Sequence, residues 1–192
     1  MFSGALVLAI LLGLATGGSL MRLAELRLRR PELAFLAVGL QIGISIGLAR
    51  GIPWVVPWRF HLYVLAYCLL FVAVALNIRL PGIPVLGLGA ALNCLVIVAN
   101  GGRMPVSPAV LERVGLGRLI PGLAAGVVAT HQLLGPETRL KWLADIFPLG
   151  PPYPRPAAFS IGDALIAAGL LWLVHWAMRP LPTGRERAKI KH

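Results

Sequence analysis

Phe60-His61-Leu62-Tyr63-Val64-Leu65-Ala66-Tyr67-Cys68-Leu69-Leu70-Phe71-Val72-Ala73-Val74-Ala75-Leu76-Asn77-Ile78 contains no Asp, Glu, Lys or Arg. A bilayer core of about 30 Å is crossed by roughly 20 apolar helical residues, so this run reads as a transmembrane helix. Four more runs share its character: Phe2 to Leu20, Leu33 to Ala49, Ile83 to Ala99 and Ile161 to Met178. The whole chain agrees with them, because 192 residues that are 58% hydrophobic and 13% charged hold more apolar surface than one water-soluble core can hide. The expected fold class is all-α: a polytopic membrane helix bundle of about five transmembrane helices, with short interfacial or re-entrant helices in the 100–160 segment. Residues 1–180 form one membrane domain, the 100–160 segment being inserted before the last span, and 181–192 form a basic tail.

The formal charge of +11 does not point to nucleic acid, because the basic residues cluster between apolar runs and in the tail. Arg22, Arg27, Arg29, Arg30, Arg79, Arg179, Arg185, Arg187, Lys189 and Lys191 fall on one side of the alternating spans, ten of the 18 Lys and Arg. That side is the cytoplasm by the positive-inside rule, which leaves the N-terminus outside and the C-terminus inside a cell membrane. The first apolar run has no basic residue before it and four arginines after it, so it is expected to remain as a span. Trp54, Trp58 and Tyr63 are expected at the outer interface, and Trp172 and Trp176 near the inner one. Gly39, Gly43 and Gly47, like Gly13 and Gly17, recur at four-residue spacing and let helix backbones approach. Packing within one chain is the first expectation for them, and a homo-oligomer through Gly39, Gly43 and Gly47 the second. Cys68 and Cys94 lie in apolar runs and read as packing residues.

Most of the polar residues that insertion does not explain lie between Asn100 and Ser160. In Asn100-Gly101-Gly102-Arg103, two glycines permit positive φ beside a guanidinium, an arrangement suited to a lipid phosphate or carboxylate. The plainer alternative is a turn ending the fourth helix, with Arg103 reaching the headgroups. Ser107-Pro108 reads as a helix N-cap with proline at the first helical position. Leu119 to Leu134 is apolar but short and broken by Pro121, Gly122 and Gly126, which suggests a re-entrant half-helix. His131 near its end is a candidate proton carrier or ligand, or a histidine bonded to a neighbouring loop. Pro136 to Asp145 suggests a short amphipathic helix, and the prolines from Pro148 to Pro156 a stiff extended connection able to double back.

Asp145 and Asp163 are the acids that carry chemistry in this reading. Two carboxylates at a membrane rim can share a proton, one as base and one as acid towards water. The competing account is structural: Ser160 and Asp163 form a capping box for the last helix, and Asp145 pairs with Arg139 or Arg155.

Asn100-Gly101-Gly102-Arg103-Met104-Pro105-Val106-Ser107, His131, Thr138-Arg139-Leu140, Asp145-Ile146-Phe147-Pro148 and Ser160-Ile161-Gly162-Asp163 together resemble an uncharacterised bacterial membrane family, domain of unknown function 5317. The likeness covers nearly the whole chain and implies a membrane protein, but no activity. A local likeness links Phe159-Ser160-Ile161-Gly162-Asp163-Ala164-Leu165-Ile166-Ala167-Ala168-Gly169 to lipoprotein signal peptidase, whose last span begins Phe-Asn-x-Ala-Asp-x-x-Ile-x-x-Gly. That resemblance implies Asp145 and Asp163 as catalytic acid and base. Ser160 and Gly162 depart from its motif.

The leading functional expectation is an outward-facing polar pocket that binds a lipid headgroup or other amphiphile, with Asn100, Gly101, Gly102, Arg103, His131, Thr138, Arg139 and Ser160 as binding residues. An intramembrane aspartyl hydrolase is the alternative, and a structural subunit of a membrane complex is the third. Membrane lipids are the expected partners. No Walker loop, dinucleotide fingerprint, haem motif or metal-ligand spacing occurs, so neither cofactor nor metal is expected.

Overall fold

A computed structural model describes residues 2–126, 128, 130–151, 153 and 156–179. The tail expected at 181–192 lies outside the described residues, as do Pro154 and Arg155. The chain is mostly helical. The long helices are α1 (Phe2–Ala15), α3 (Pro31–Ala49), α4 (Val55–Leu76), α5 (Ile83–Ala99) and α8 (Ile161–Met178), with a five-residue α2 (Leu20–Ala24) after the first. Three of them, α3, α4 and α8, are long and apolar enough to cross a membrane, while α1 and α5 are apolar but shorter. The first expected span therefore ends early. Gly17 turns left-handed at φ 79, and Gly18 lies against Met178 of α8, which stops α1 at Ala15.

α3 packs on α4 as a hairpin, and α8 packs on both α1 and α5. The α5–α8 contact depends on two glycine pairs. A Cβ added at Gly82 or Gly89 would strike the backbone carbonyl of Gly169 or Gly162, respectively. Two helices meeting backbone to backbone at both ends of an antiparallel crossing exclude any side chain there. These glycines, each pair spaced seven residues apart, hold α5 to α8, and Gly13, singled out in the sequence, packs α1 against Met178 of α8. Added Cβ atoms at Gly39 and Gly43 would meet nothing, and only Gly47 of that set packs, against Val55. Tyr63 also departs from expectation: it is buried with Ile44, Leu48 and Val55 between α3 and α4 rather than anchored at an interface. Trp54, Trp58, Trp172 and Trp176 are all exposed, as belt residues would be.

Between α5 and α8 the chain forms a cap, and here the all-α expectation fails. Among the described residues four short strands occur: β1 (Met104–Val106), β2 (His131–Leu133), β3 (Phe147–Leu149) and β4 (Ala157–Phe159). β1 pairs in parallel with β2, Met104 opposite His131, and on its other edge Val106 bridges to Asp145. β3 and β4 pair antiparallel, so the proline-rich connection does double back. Ser107 caps α6 (Pro108–Arg113), accepting from the Val110 N–H, as its sequence predicts. The expected half-helix over Leu119 to Leu134 is instead a 3-10 turn, the five-residue α7 (Ile120–Ala124) and then β2. Gly126, at φ 69, ends that short helix. The helix expected over Pro136 to Asp145 is a single 3-10 turn at Lys141–Leu143, entered through Leu140 at φ 54. Pairing with β1 draws Asp145 out of helical geometry: its N–H donates to the Pro105 carbonyl at 2.9 Å, and its own carbonyl accepts from the Ser107 N–H at 3.0 Å.

Candidate functional site

The expected site residues divide into four groups. The first is a latch. The Asn100 side-chain amide donates to the carbonyls of Val96 and Arg139 at 2.8 and 3.0 Å, and its oxygen accepts from the Arg139 N–H at 3.0 Å and from the Gln132 side chain at 3.4 Å. One side chain thus ties the end of α5 to two segments of the cap, and little of its capacity remains for a ligand. Thr138, which is buried, closes the adjoining turn by accepting from the Gly135 N–H at 2.9 Å. Asn100, Thr138 and the backbone of Arg139 are structural here.

The second group is the start of α8. Ser160 is fully buried, accepts from the Asp163 N–H at 3.0 Å and donates to Asn93 Oδ1 at 2.9 Å. Asp163 Oδ1 accepts from the Asn93 amide at 2.8 Å, and Oδ2 from the Ser160 N–H at 3.3 Å. This is the capping box, extended across the bundle to Asn93 on α5. Its polar atoms are matched to one another, and the close approach of Gly162 to Asn93 locks the arrangement.

The third group is different. Asp145 and His131 come from two segments hydrogen-bonded to opposite edges of β1, and their side chains meet with Asp145 Oδ2 3.7 Å from His131 Nε2. His131 Nδ1 lies 2.9 Å from the Thr130 hydroxyl. Asp145 Oδ1 is buried and has no hydrogen-bond partner. No arginine pairs with Asp145 among the described residues, so the surface ion pair with Arg139 does not form. Burial pushes the Asp145 carboxyl up to about 8, and the charge of Asp163 pushes it the same way. Burial also holds the His131 imidazole below its ordinary value, against an upward pull from Asp163. Asp145 is the more enclosed of the two, its side chain 8% exposed against 43% for His131. At neutral pH the pair is therefore an uncharged acid beside an uncharged imidazole, too far apart for a good hydrogen bond.

Both residues open onto a recess of about 230 Å³ whose other lining is apolar: Val106, Leu111, Leu116, Leu119, Leu123, Val128 and the Pro156–Ala158 stretch. Leu111, Leu123 and Val106 form a buried cluster beneath it. Short apolar segments that fail to make a re-entrant helix thus build the wall of a cavity instead. The pattern of Leu116, Leu119 and Leu123 was the sequence signal for this wall, but it reads equally well as helix.

The fourth group is the Gly101-Gly102-Arg103 turn. Both glycines have positive φ, 66 and 83, as expected for that turn. Gly102 packs against Phe60 of α4, Arg103 Nε is buried without a hydrogen-bond partner, and Arg103 is not among the residues lining the recess. Arg59, the residue before the apolar run that begins at Phe60, was not singled out in the sequence.

A protein of Thermotoga maritima described as uncharacterized is 29% identical over 119 residues, 60% of this chain and 62% of that one. The chain thus spans less than two thirds of that relative. No solved structure matches the chain. A family match covers residues 25–175, which includes α3, α4, α5, the whole cap and most of α8, and on that ground the chain belongs to the family of unknown function DUF5317.

Proposed function

We propose that the protein is an integral membrane protein whose extracytoplasmic cap binds the apolar part of an amphiphile, with Asp145 and His131 meeting a hydrogen-bonding group on it. The observation that carries this reading is the recess: an apolar wall into which only two polar side chains, Asp145 and His131, are set. An apolar recess with a few convergent polar groups is the usual form of a small-ligand site. At about 230 Å³ the recess is smaller than usual for drug-sized ligands, so it suits one chain end or one small head rather than a whole lipid. Because both side chains are neutral at pH 7, the matching group is itself uncharged, such as an ester or amide carbonyl accepting from the Asp145 carboxylic acid.

Three helices long and apolar enough to cross a membrane support this reading, and α1 and α5 are taken as spans beside them. At 1.5 Å per residue α1 and α5 reach roughly 21 and 26 Å, short of the apolar core, but both lie along α8, which shields their ends. The Lys and Arg count favours the cap outside and the C-terminus inside. The test is mass spectrometry of molecules retained by the full chain after mild detergent extraction, comparing the native protein with Ala158→Trp, which fills the recess. Loss of a retained amphiphile is expected; an unchanged set from a folded variant refutes the proposal.

One observation favours the aspartyl hydrolase as a second reading: a protonated Asp145 under the influence of the Asp163 charge is the proton distribution that acid–base catalysis needs. Asp163→Asn separates the two readings, since hydrolysis requires the charge and binding in the recess does not.

A further inference from the structure

We infer that the groove between the β3–β4 ribbon and the first turns of α8 is a second site, which takes one acyl chain of a bilayer lipid. The inference rests on the membrane placement proposed above, and not on occupancy of the recess. Successive side chains of a strand point to opposite sides, so Ala158 packs on the cluster of Val106, Leu111 and Leu123 while Phe159 faces the other way, into the groove. Phe159 stands opposite Phe147 in the ribbon, their rings 5.5 Å apart. On α8, Ile161, Ala164 and Leu165 are spaced i, i+3 and i+4 and share one face. The two rings and this helix face enclose about 220 Å³, and all five lining residues are apolar. Phe147 and Ile161, 38% and 39% exposed, leave the groove accessible.

Both walls are fixed to the bundle. Tyr153, in the connection between the two strands, lies on Gly4 of α1, where an added Cβ would strike its ring. Gly162 is locked against Asn93, and Leu165 lies beside Gly89 of α5. A helix start usually offers free donors, but here the N–H groups of Ser160, Asp163 and Ala164 donate to the Asp163 carboxylate, the Ser160 hydroxyl and the Ser160 carbonyl. A polar occupant would therefore give up water without gaining a partner. An extended peptide brings backbone groups that the groove cannot match, whereas an acyl chain brings none. α8 is long and apolar enough to cross a membrane and begins at this groove, so lipid chains reach it directly. Because lipid tails are as apolar as the lining, exclusion of water does not drive filling. Contact does: a chain in a groove is touched on several sides, and an unfilled groove forfeits those contacts.

The experiment reconstitutes the full chain in phosphatidylethanolamine and phosphatidylglycerol vesicles containing a little phospholipid with a diazirine in the upper half of one acyl chain. Cross-links formed on illumination are mapped by mass spectrometry. Labelling at Phe147, Phe159 and Leu165 should exceed that at Phe35 and Val56, exposed apolar residues of α3 and α4, by at least about threefold, the scale of a few extra van der Waals contacts. Ala164→Trp, at an exposed position, should bring the groove down to the level of these controls, while Ala158→Trp on the recess side should leave it labelled. If the first variant does not fold, Phe147→Ala removes one wall and should lower groove labelling in its place. Labelled controls with a groove no richer than they are, or groove labelling that neither variant changes, would overturn the inference and leave the recess reading standing. Cross-links from groove residues to protein instead of lipid would give the groove to a partner helix and overturn it too. Unlabelled controls together with an unlabelled groove would instead refute the membrane placement, and the inference with it.

Discussion

Asp163 and Asp145 stand 18 positions apart in the chain, and each sits at the junction of cap and helices, yet their surroundings are opposite. Asp163 has a donor on each carboxylate oxygen, from Asn93 and from its own helix cap. Asp145 is more deeply enclosed, has one oxygen unmatched and faces an apolar recess. A carboxyl that loses water without replacement is pushed towards its protonated form, as burial pushes Asp145. The contrast shows how two residues of one type divide between holding a fold together and waiting for a partner.

The comparison breaks most severely at the glycine beneath the closed cluster. Gly162→Ala places a methyl group in the Asn93 side chain and the Gly89 carbonyl, and should cost about 3 kcal/mol, read as a lower unfolding temperature in detergent. Next in size, Asn93→Ala removes partners from both Ser160 and Asp163; the expected loss is about 2 to 3 kcal/mol in the same measurement. Equal stability in either variant would mean that the cluster does not hold α5 to α8.

At Asp145 the signature is pH rather than absolute stability. Its folded value, about 8, lies above the ordinary 3.8, so between these limits the folded chain holds a proton that the unfolded chain has released. The stability it contributes is complete below about pH 4, declines by up to about 1.4 kcal/mol per pH unit as pH rises, and is gone above about pH 8. Asp145→Asn, which mimics the neutral acid and does not titrate, should match native below about pH 4, become increasingly more stable than native as pH rises towards 8, and so flatten this slope; unfolding temperatures from pH 4 to pH 9 decide it. The smallest effect belongs to Asp163→Asn, which keeps an acceptor for the cap and should lose about 1 kcal/mol or less at neutral pH. A loss of cellular function in this stable variant would favour the hydrolase over the binding protein.

Much of the helical framework was legible. The limits of α5 and α8 match their apolar runs, and Ser107 and Ser160 cap the helices that their residue types announce. Those features are local, set by side-chain hydrophobicity and by hydrogen bonds three residues apart. The cap was misread because its strands are three residues long and pair across intervals such as Met104 to His131, where no periodicity can develop. Leu119 to Leu134 carries enough apolar residues for a half-helix, but backbone pairing at its end won. Four-residue spacing marked Gly13 and Gly47, which pack against Met178 and Val55, whereas the seven-residue pairs Gly82 with Gly89 and Gly162 with Gly169, which make the α5–α8 contact, carry no such local signature.

Sequence alone determined the apolar helices and their caps, because burial of side chains in lipid or protein and the pairing of neighbouring backbone groups depend on residues close in the chain. Tertiary structure alone decided which aspartate is matched and which is not, and that Gly102 packs against Phe60. Those outcomes depend on which distant backbone segments pair and how closely two helices approach, since a donor one hydrogen-bond length away sets a carboxyl's charge and no local pattern records that distance.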